Sequence, residues 1–206
     1  MSDLIERAHT FRRSNVWIYS TMLVSACLSL VASFVLSVEA ITLAKNPSAN
    51  LACNINARIS CGTVGVSWQA HLLGFPNAFF GMLAEPVVIT IAVASLAKVR
   101  FPRGFMLAAQ IVYTIGVVFA YWLFFQALYV IGALCPWCLL VTLSTTLVFA
   151  SLTHVNIRDN NLFLSARAHE AAQAALRMGI DIAVVTVWLV VVVGLVFWKY
   201  GSSVFG

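Results

Sequence analysis

Four cysteines carry the chemistry that this chain can do. Cys135 and Cys138 are separated by Pro136 and Trp137, and Cys53 and Cys61 lie far upstream in a polar stretch. Thiol–disulfide exchange needs two sulfurs close enough to alternate between bonded and free, and a thiolate able to reach them. A two-residue spacer allows this across the first turn of a helix. Two dithiols in one apolar chain point to electrons handed from pair to pair. Pro136 suits a first helical position, where its missing N–H is not needed. Cys135 is then the expected N-cap, its sulfur facing unpaired N–H groups and the positive end of the helix dipole, both of which favour thiolate. Cys138 follows one turn further in. The plainer readings are structural disulfides or parts of a metal site. Cys27, the fifth cysteine, stands in an apolar run and reads as a small hydrophobe.

The elements that must position these sulfurs are membrane spans. Hydrophobic residues make up 62% of the 206 residues and charged residues 9%, with a mean hydropathy of +0.96. So few charges could not solvate a globule of this size. The net charge of +5 is dispersed between apolar runs, which argues against nucleic-acid binding. A single membrane domain, 1–206, is expected to be an all-α integral membrane protein. Crossing a bilayer takes ~20 apolar residues, and five stretches qualify, near 16–38, 79–97, 105–130, 136–153 and 181–199. The first is too long for a signal-peptide core, so Val38-Glu39-Ala40 is read as part of a retained anchor and not as a cleavage site. Arg7, Arg12, Arg13, Lys98, Arg100, Arg103, Arg158, Arg167 and Arg177 fall on one side, and Lys45, Arg58 and Lys199 on the other. The positive-inside rule then makes the N-terminus cytoplasmic. Both cysteine pairs meet on the outer face of a cell membrane, where disulfides persist. The outer loop, 39–78, is too long for a plain connector and is expected to cap the bundle, with a short amphipathic helix around 63–73. The segment 154–180 is a cytoplasmic loop, partly helical over 166–176.

The order of these features resembles the vitamin K epoxide reductase family, most closely its bacterial members. The resemblance rests on Cys53-x7-Cys61-Gly62, Ser67, Gly74-Phe75-Pro76-Asn77-Ala78-Phe79-Phe80-Gly81 and Cys135-Pro136-Trp137-Cys138. It covers about residues 35 to 155. It implies a four-helix bundle around a quinone, with a fifth transmembrane helix and an outer-face cap loop. It also implies that Cys135 and Cys138 are the active-site pair, with Cys138 nearest the quinone, and that Cys53 and Cys61 form a shuttle pair. Asn77 matches a residue that hydrogen-bonds a quinone carbonyl; Ser67 and Phe80 match positions near that site. Thr142 stands where the animal enzymes have Tyr, which favours ordinary quinone reduction over epoxide reduction. The chain ends at Gly206 without a fused thioredoxin-like domain, so the expected partner acts in trans.

These features together predict a thiol–quinone oxidoreductase. It would reoxidise a DsbA-like thioredoxin-fold protein, pass electrons to menaquinone or ubiquinone, and use no metal. The rivals are a soft-metal site built from the four cysteines and a conduit carrying reductant outward. Other polar residues stay open. Glu85, ahead of Pro86 in a span, is either functional or a hydrogen-bonding group inside the bundle. His71 is read as a surface residue. Tyr113, Tyr121, Trp122, Phe124 and Phe125 are read as packing, and the plainer reading of Asn77 is a helix cap.

Overall fold

The computed structural model describes residues 14–204. Arg7, Arg12 and Arg13, which carry part of the orientation argument, lie outside the described residues. The long helices are α1 (Asn15–Lys45), α3 (Ala78–Leu96), α4 (Arg103–Gln126), α5 (Pro136–Arg158) and α7 (Ile180–Val204). Two shorter ones are α2 (Cys61–Gly65) and α6 (Ala166–Met178). Five are long and apolar enough to cross a membrane among the described residues. Their outward faces carry Leu83, Val118 and Val187, all well exposed, as expected of helices solvated by lipid.

The bundle is built on α1, which packs against both α3 and α5, while α5 packs in turn against α4. The buried face of α1 is made of small residues, Ser25, Ala26, Ser29, Ala32, Ser33, Ser37 and Ala40. Lipid is as apolar as leucine, so close backbone approach and hydrogen bonds hold such helices together. Gly81 of α3 shows how close that approach is: a Cβ built there would meet Ser33 Oγ. Above this crossing, Met22, Ile91, Val148 and Leu152 fill the interior with Met106.

Glu85 is buried among these helices. It accepts hydrogen bonds from Ser29 Oγ at 2.7 Å and from Tyr113 Oη at 3.0 Å. Of the two readings of Glu85, this geometry supports the bundle-bonding one. Tyr113 is more than packing, since it links α4 to a carboxyl on α3. Pro86 removes the N–H that would bond Met82 O, and Thr90 Oγ1 donates to Pro86 O at 2.7 Å.

The ends are distinct. Arg158 at the end of α5 donates to Asn15 at the start of α1, and Arg103 at the start of α4 donates to Asn160 O. This basic end is opposite the end that holds the cysteines. There α4 winds into a π-helical turn, Ala127–Ile131, stopped by Gly132 at φ 72°, a left-handed conformation suited to glycine. Helix α7 sits at the periphery. His154 Nδ1 lies 2.6 Å from Asp181 Oδ2, and Tyr200 Oη donates to Ala127 O at 3.3 Å.

Several boundaries differ from expectation. Helix α1 runs to Lys45, so the cap loop starts at 46 and Glu39 belongs to a helix. Helix α5 extends five residues past 153, because Val155 and Asn156 are buried against the bundle. The loop after it is mostly helix α6, close to the expected 166–176. The amphipathic helix around 63–73 is replaced by α2 and a separate 3-10 turn, Trp68–His71. Gly65 and Ser67 interrupt it, and Gly74 at φ 82° ends the segment.

Candidate active site

The cap loop brings Cys53 to Cys61 through asparagine-directed turns. Asn56 Oδ1 accepts from Arg58 N–H at 2.9 Å and Ile59 N–H at 2.8 Å. Asn54 Oδ1 accepts from Ser60 Oγ and from Gly62 N–H, each at 2.9 Å. Asparagine suits both tasks because its short side chain mimics a backbone turn. The two cysteines are joined as a disulfide, with Cα atoms 5.7 Å apart. Ser60 then caps α2, its Oγ accepting from Thr63 N–H at 3.1 Å.

An isolated parallel bridge between Ile59 and Leu134 fixes the loop against the segment that precedes α5. Leu134 N–H donates to Arg58 O at 2.8 Å and Ser60 N–H to Leu134 O at 3.0 Å. Cys61 follows Ser60, and Cys135 follows Leu134. Their sulfurs lie 3.5 Å apart, and both residues are almost fully buried, at 2% and 1% exposure. Cys135 is the N-cap that the sequence predicts, its Sγ accepting from Cys138 N–H at 3.2 Å. Cys135 and Cys138 are free thiols, whereas Cys53 and Cys61 are oxidised. Such a site can pass a disulfide from one pair to the other through a Cys61–Cys135 bond, with no large movement of either backbone. Sequence spacing alone could not show which loop cysteine faces the inner pair.

The chain belongs to a known family. The sequence profile of the Vitamin K epoxide reductase family matches residues 20–153, which takes in all four of these cysteines. As a member of the vitamin K epoxide reductase family, the chain is an all-α, multi-pass membrane oxidoreductase. No curated protein matches it.

The remaining expected site residues are placed as follows in this family member. Asn77 occupies the N-cap position just before α3, but its side chain makes no cap hydrogen bond. Its Nδ2 donates to Gln69 O at 2.6 Å, and its buried Oδ1 has no partner among the described residues. Asn77 holds the cap position without the capping hydrogen bond, since its side chain reaches back to the 3-10 turn instead of its own helix. Ser67 Oγ donates to Val64 O at 2.6 Å, and Ser67 O lies 3.4 Å from His71 Nδ1. Phe80 is 37% exposed and packs its ring against Phe75, with centroids 5.2 Å apart. Cys27 is exposed on α1 and joins neither pair. Glu39 was not singled out as a site residue in the sequence. Its Oε1 lies 3.2 Å from Cys53 Sγ, and its Oε2 is buried without a partner among the described residues. The available signal was an acidic residue, alone in α1, at the end of an apolar run.

Proposed function

We propose that the chain is a membrane thiol–quinone oxidoreductase that drives disulfide formation outside the cytoplasm. In this reading it reoxidises a DsbA-like thioredoxin-fold protein in trans and delivers the electrons to menaquinone or ubiquinone. The observation that carries the reading is the 3.5 Å approach of Cys61 to Cys135 while one pair is closed and the other open.

With Cys61 turned to the inner pair, Cys53 is the sulfur left for the partner. The partner's thiolate attacks Cys53, breaking its bond to Cys61 and releasing a Cys61 thiolate. The partner's second thiolate then closes the partner's own disulfide and frees Cys53. Next, Cys61 attacks Cys135 of a closed inner pair, and Cys138 leaves as thiolate. Attack by Cys53 on Cys61 restores the outer disulfide and leaves Cys135 and Cys138 reduced. That product has the redox pattern described above. Two electrons and two protons then leave to the quinone as Cys135–Cys138 re-forms.

Asn77 would hydrogen-bond the quinone, with Ser67 and Phe80 nearby. The buried, unpartnered Oδ1 of Asn77 supports this assignment, because an unpaired buried amide costs ~1–3 kcal/mol. The second Nδ2 hydrogen could donate to a quinone carbonyl, and Oδ1 could accept from a quinol hydroxyl. The cysteine end would face outward, as the basic residues of the opposite end favour. A metal at Glu39, Cys53 and Cys61, whose ligand atoms lie within 4.8 Å of one another, would need both sulfurs as thiolates.

The test supplies purified protein with a reduced DsbA-type protein and a short-tail menaquinone. Wild type should form quinol only when both are present. Cys138→Ala should abolish quinol formation, and before the partner is added its lone Cys135 thiolate should attack Cys61 of the outer disulfide, releasing Cys53 and leaving a Cys61–Cys135 disulfide detectable by non-reducing peptide mapping. Quinol formation at wild-type rates in Cys138→Ala would overturn the relay.

A further inference from the structure

Glu39 is held where the proposed relay has a proton to move. Its Oε1 is 3.2 Å from Cys53 Sγ, and Oε2 is buried with no partner among the described residues. No described cation pairs with it. A disulfide sulfur carries no hydrogen, so a hydrogen bond across this contact must be donated by the carboxyl. Once Cys53 is reduced, the same contact can run from the thiol to a carboxylate. The geometry therefore serves both redox states of one sulfur.

We propose that Glu39 is the general acid–base of the outer pair, giving a proton to Cys53 when the thiol partner leaves and taking it back when Cys53 attacks Cys61. The inference rests on the relay above. When the partner's second thiolate attacks the partner–Cys53 disulfide, the partner's S–S bond forms and the bond to Cys53 breaks. The Glu39 carboxyl protonates the departing Cys53 sulfur and is left as carboxylate. When Cys53 then attacks the Cys61–Cys135 disulfide, the carboxylate removes the Cys53 proton, the Cys53–Cys61 bond forms, and Cys135 departs as thiolate. Glu39 ends as it began, so its proton balances over the cycle without an added base, while the two electrons leave to the quinone as above. Cys53 and Cys61 face Glu39 from the cap loop, and Cys138 of α5 is within its electrostatic reach.

The experiment follows the lifetime of the mixed disulfide at Cys53 in full-length protein, without quinone, after mixing with a reduced DsbA-type protein. A parallel run uses dithiothreitol. Wild type should resolve the mixed disulfide with a bell-shaped pH profile, because release needs a thiolate attacker and a protonated Glu39. Glu39→Gln should lengthen the lifetime at least about tenfold at the wild-type optimum and keep only the rising limb, since general acids contribute roughly a hundredfold or more. Unchanged lifetimes, or slower resolution with an unchanged bell, would overturn the proposal. If Glu39→Gln does not fold, Glu39→Asp carries the test, expected to be slower than wild type with the bell retained. A wild type inert to the DsbA-type protein but resolved by dithiothreitol would fail the partner assignment while leaving the Glu39 comparison readable.

Discussion

Asn77 faces two demands from one side chain. One N–H of its amide is bound to Gln69 O at 2.6 Å, and its Oδ1 is buried and free of partners among the described residues. Asn77→Ala should therefore cut quinone turnover by roughly tenfold or more, the kinetic equivalent of about 1.4 kcal/mol. It should also lower stability by about 1 kcal/mol through the lost bond to Gln69. Quinone kinetics and a melting curve on the same protein check both, and unchanged kinetics with a lowered melting point would leave Asn77 only a loop anchor. The sequence made the four cysteines and the N-cap role of Cys135 legible, because Cys-Pro-x-Cys has a local mechanism. It did not reveal Glu39 or the Tyr113–Glu85 bond. Those contacts join residues 14 and 28 positions apart, and no periodicity or turn signal reports on them.

At the scale of elements, the cap loop is a wound hairpin-like clasp and not a surface helix. Its hydrophobic content, Trp68 and Leu72 among it, suggested amphipathic helix, but the glycines at 65 and 74 divide the segment into short turns. Asn54 is the clasp's hub, since it accepts hydrogen bonds from both Ser60 and Gly62. Asn54→Ala leaves the Gly62 N–H unpaired at a buried position, which should cost about 1–3 kcal/mol of loop order. Turnover driven by the protein partner should then fall several-fold, while reduction of quinone by a small dithiol that reaches Cys135–Cys138 directly should change little. Equal losses with both reductants would mean that the loop holds the inner pair in shape instead of relaying electrons to it. The five long apolar helices were legible because hydropathy reports them directly. Their ends were not, since tertiary burial of Val155 and Asn156 extends α5 beyond its apolar run.

For the whole molecule, α1, α3, α4 and α5 share the interior, and α7 is attached to it. Only 6% of the apolar window of α7 is buried inside the protein, against 39% for α1. Its ties are the His154–Asp181 contact, the Tyr200 hydrogen bond and the packing of Val192 beside Phe124. A chain ending at Gly179 should keep quinone turnover within about fivefold, because a change of 1 kcal/mol or less in the barrier is under tenfold. Its melting temperature should drop by a few degrees, on the order of 1 kcal/mol for a domain of this size. Loss of turnover in a folded, truncated protein would give α7 a part in the chemistry. The Tyr200–Ala127 hydrogen bond has another consequence. It ties the last turns of α7 to the end of the bundle that carries Leu134, the residue before Cys135, so a polypeptide tethered there would start at the cysteine end. A thiol-bearing domain on such a tether would meet the disulfide at an effective concentration set by tether length, on the order of millimolar for a short flexible one. Its abundance in the surrounding fluid would no longer govern the rate.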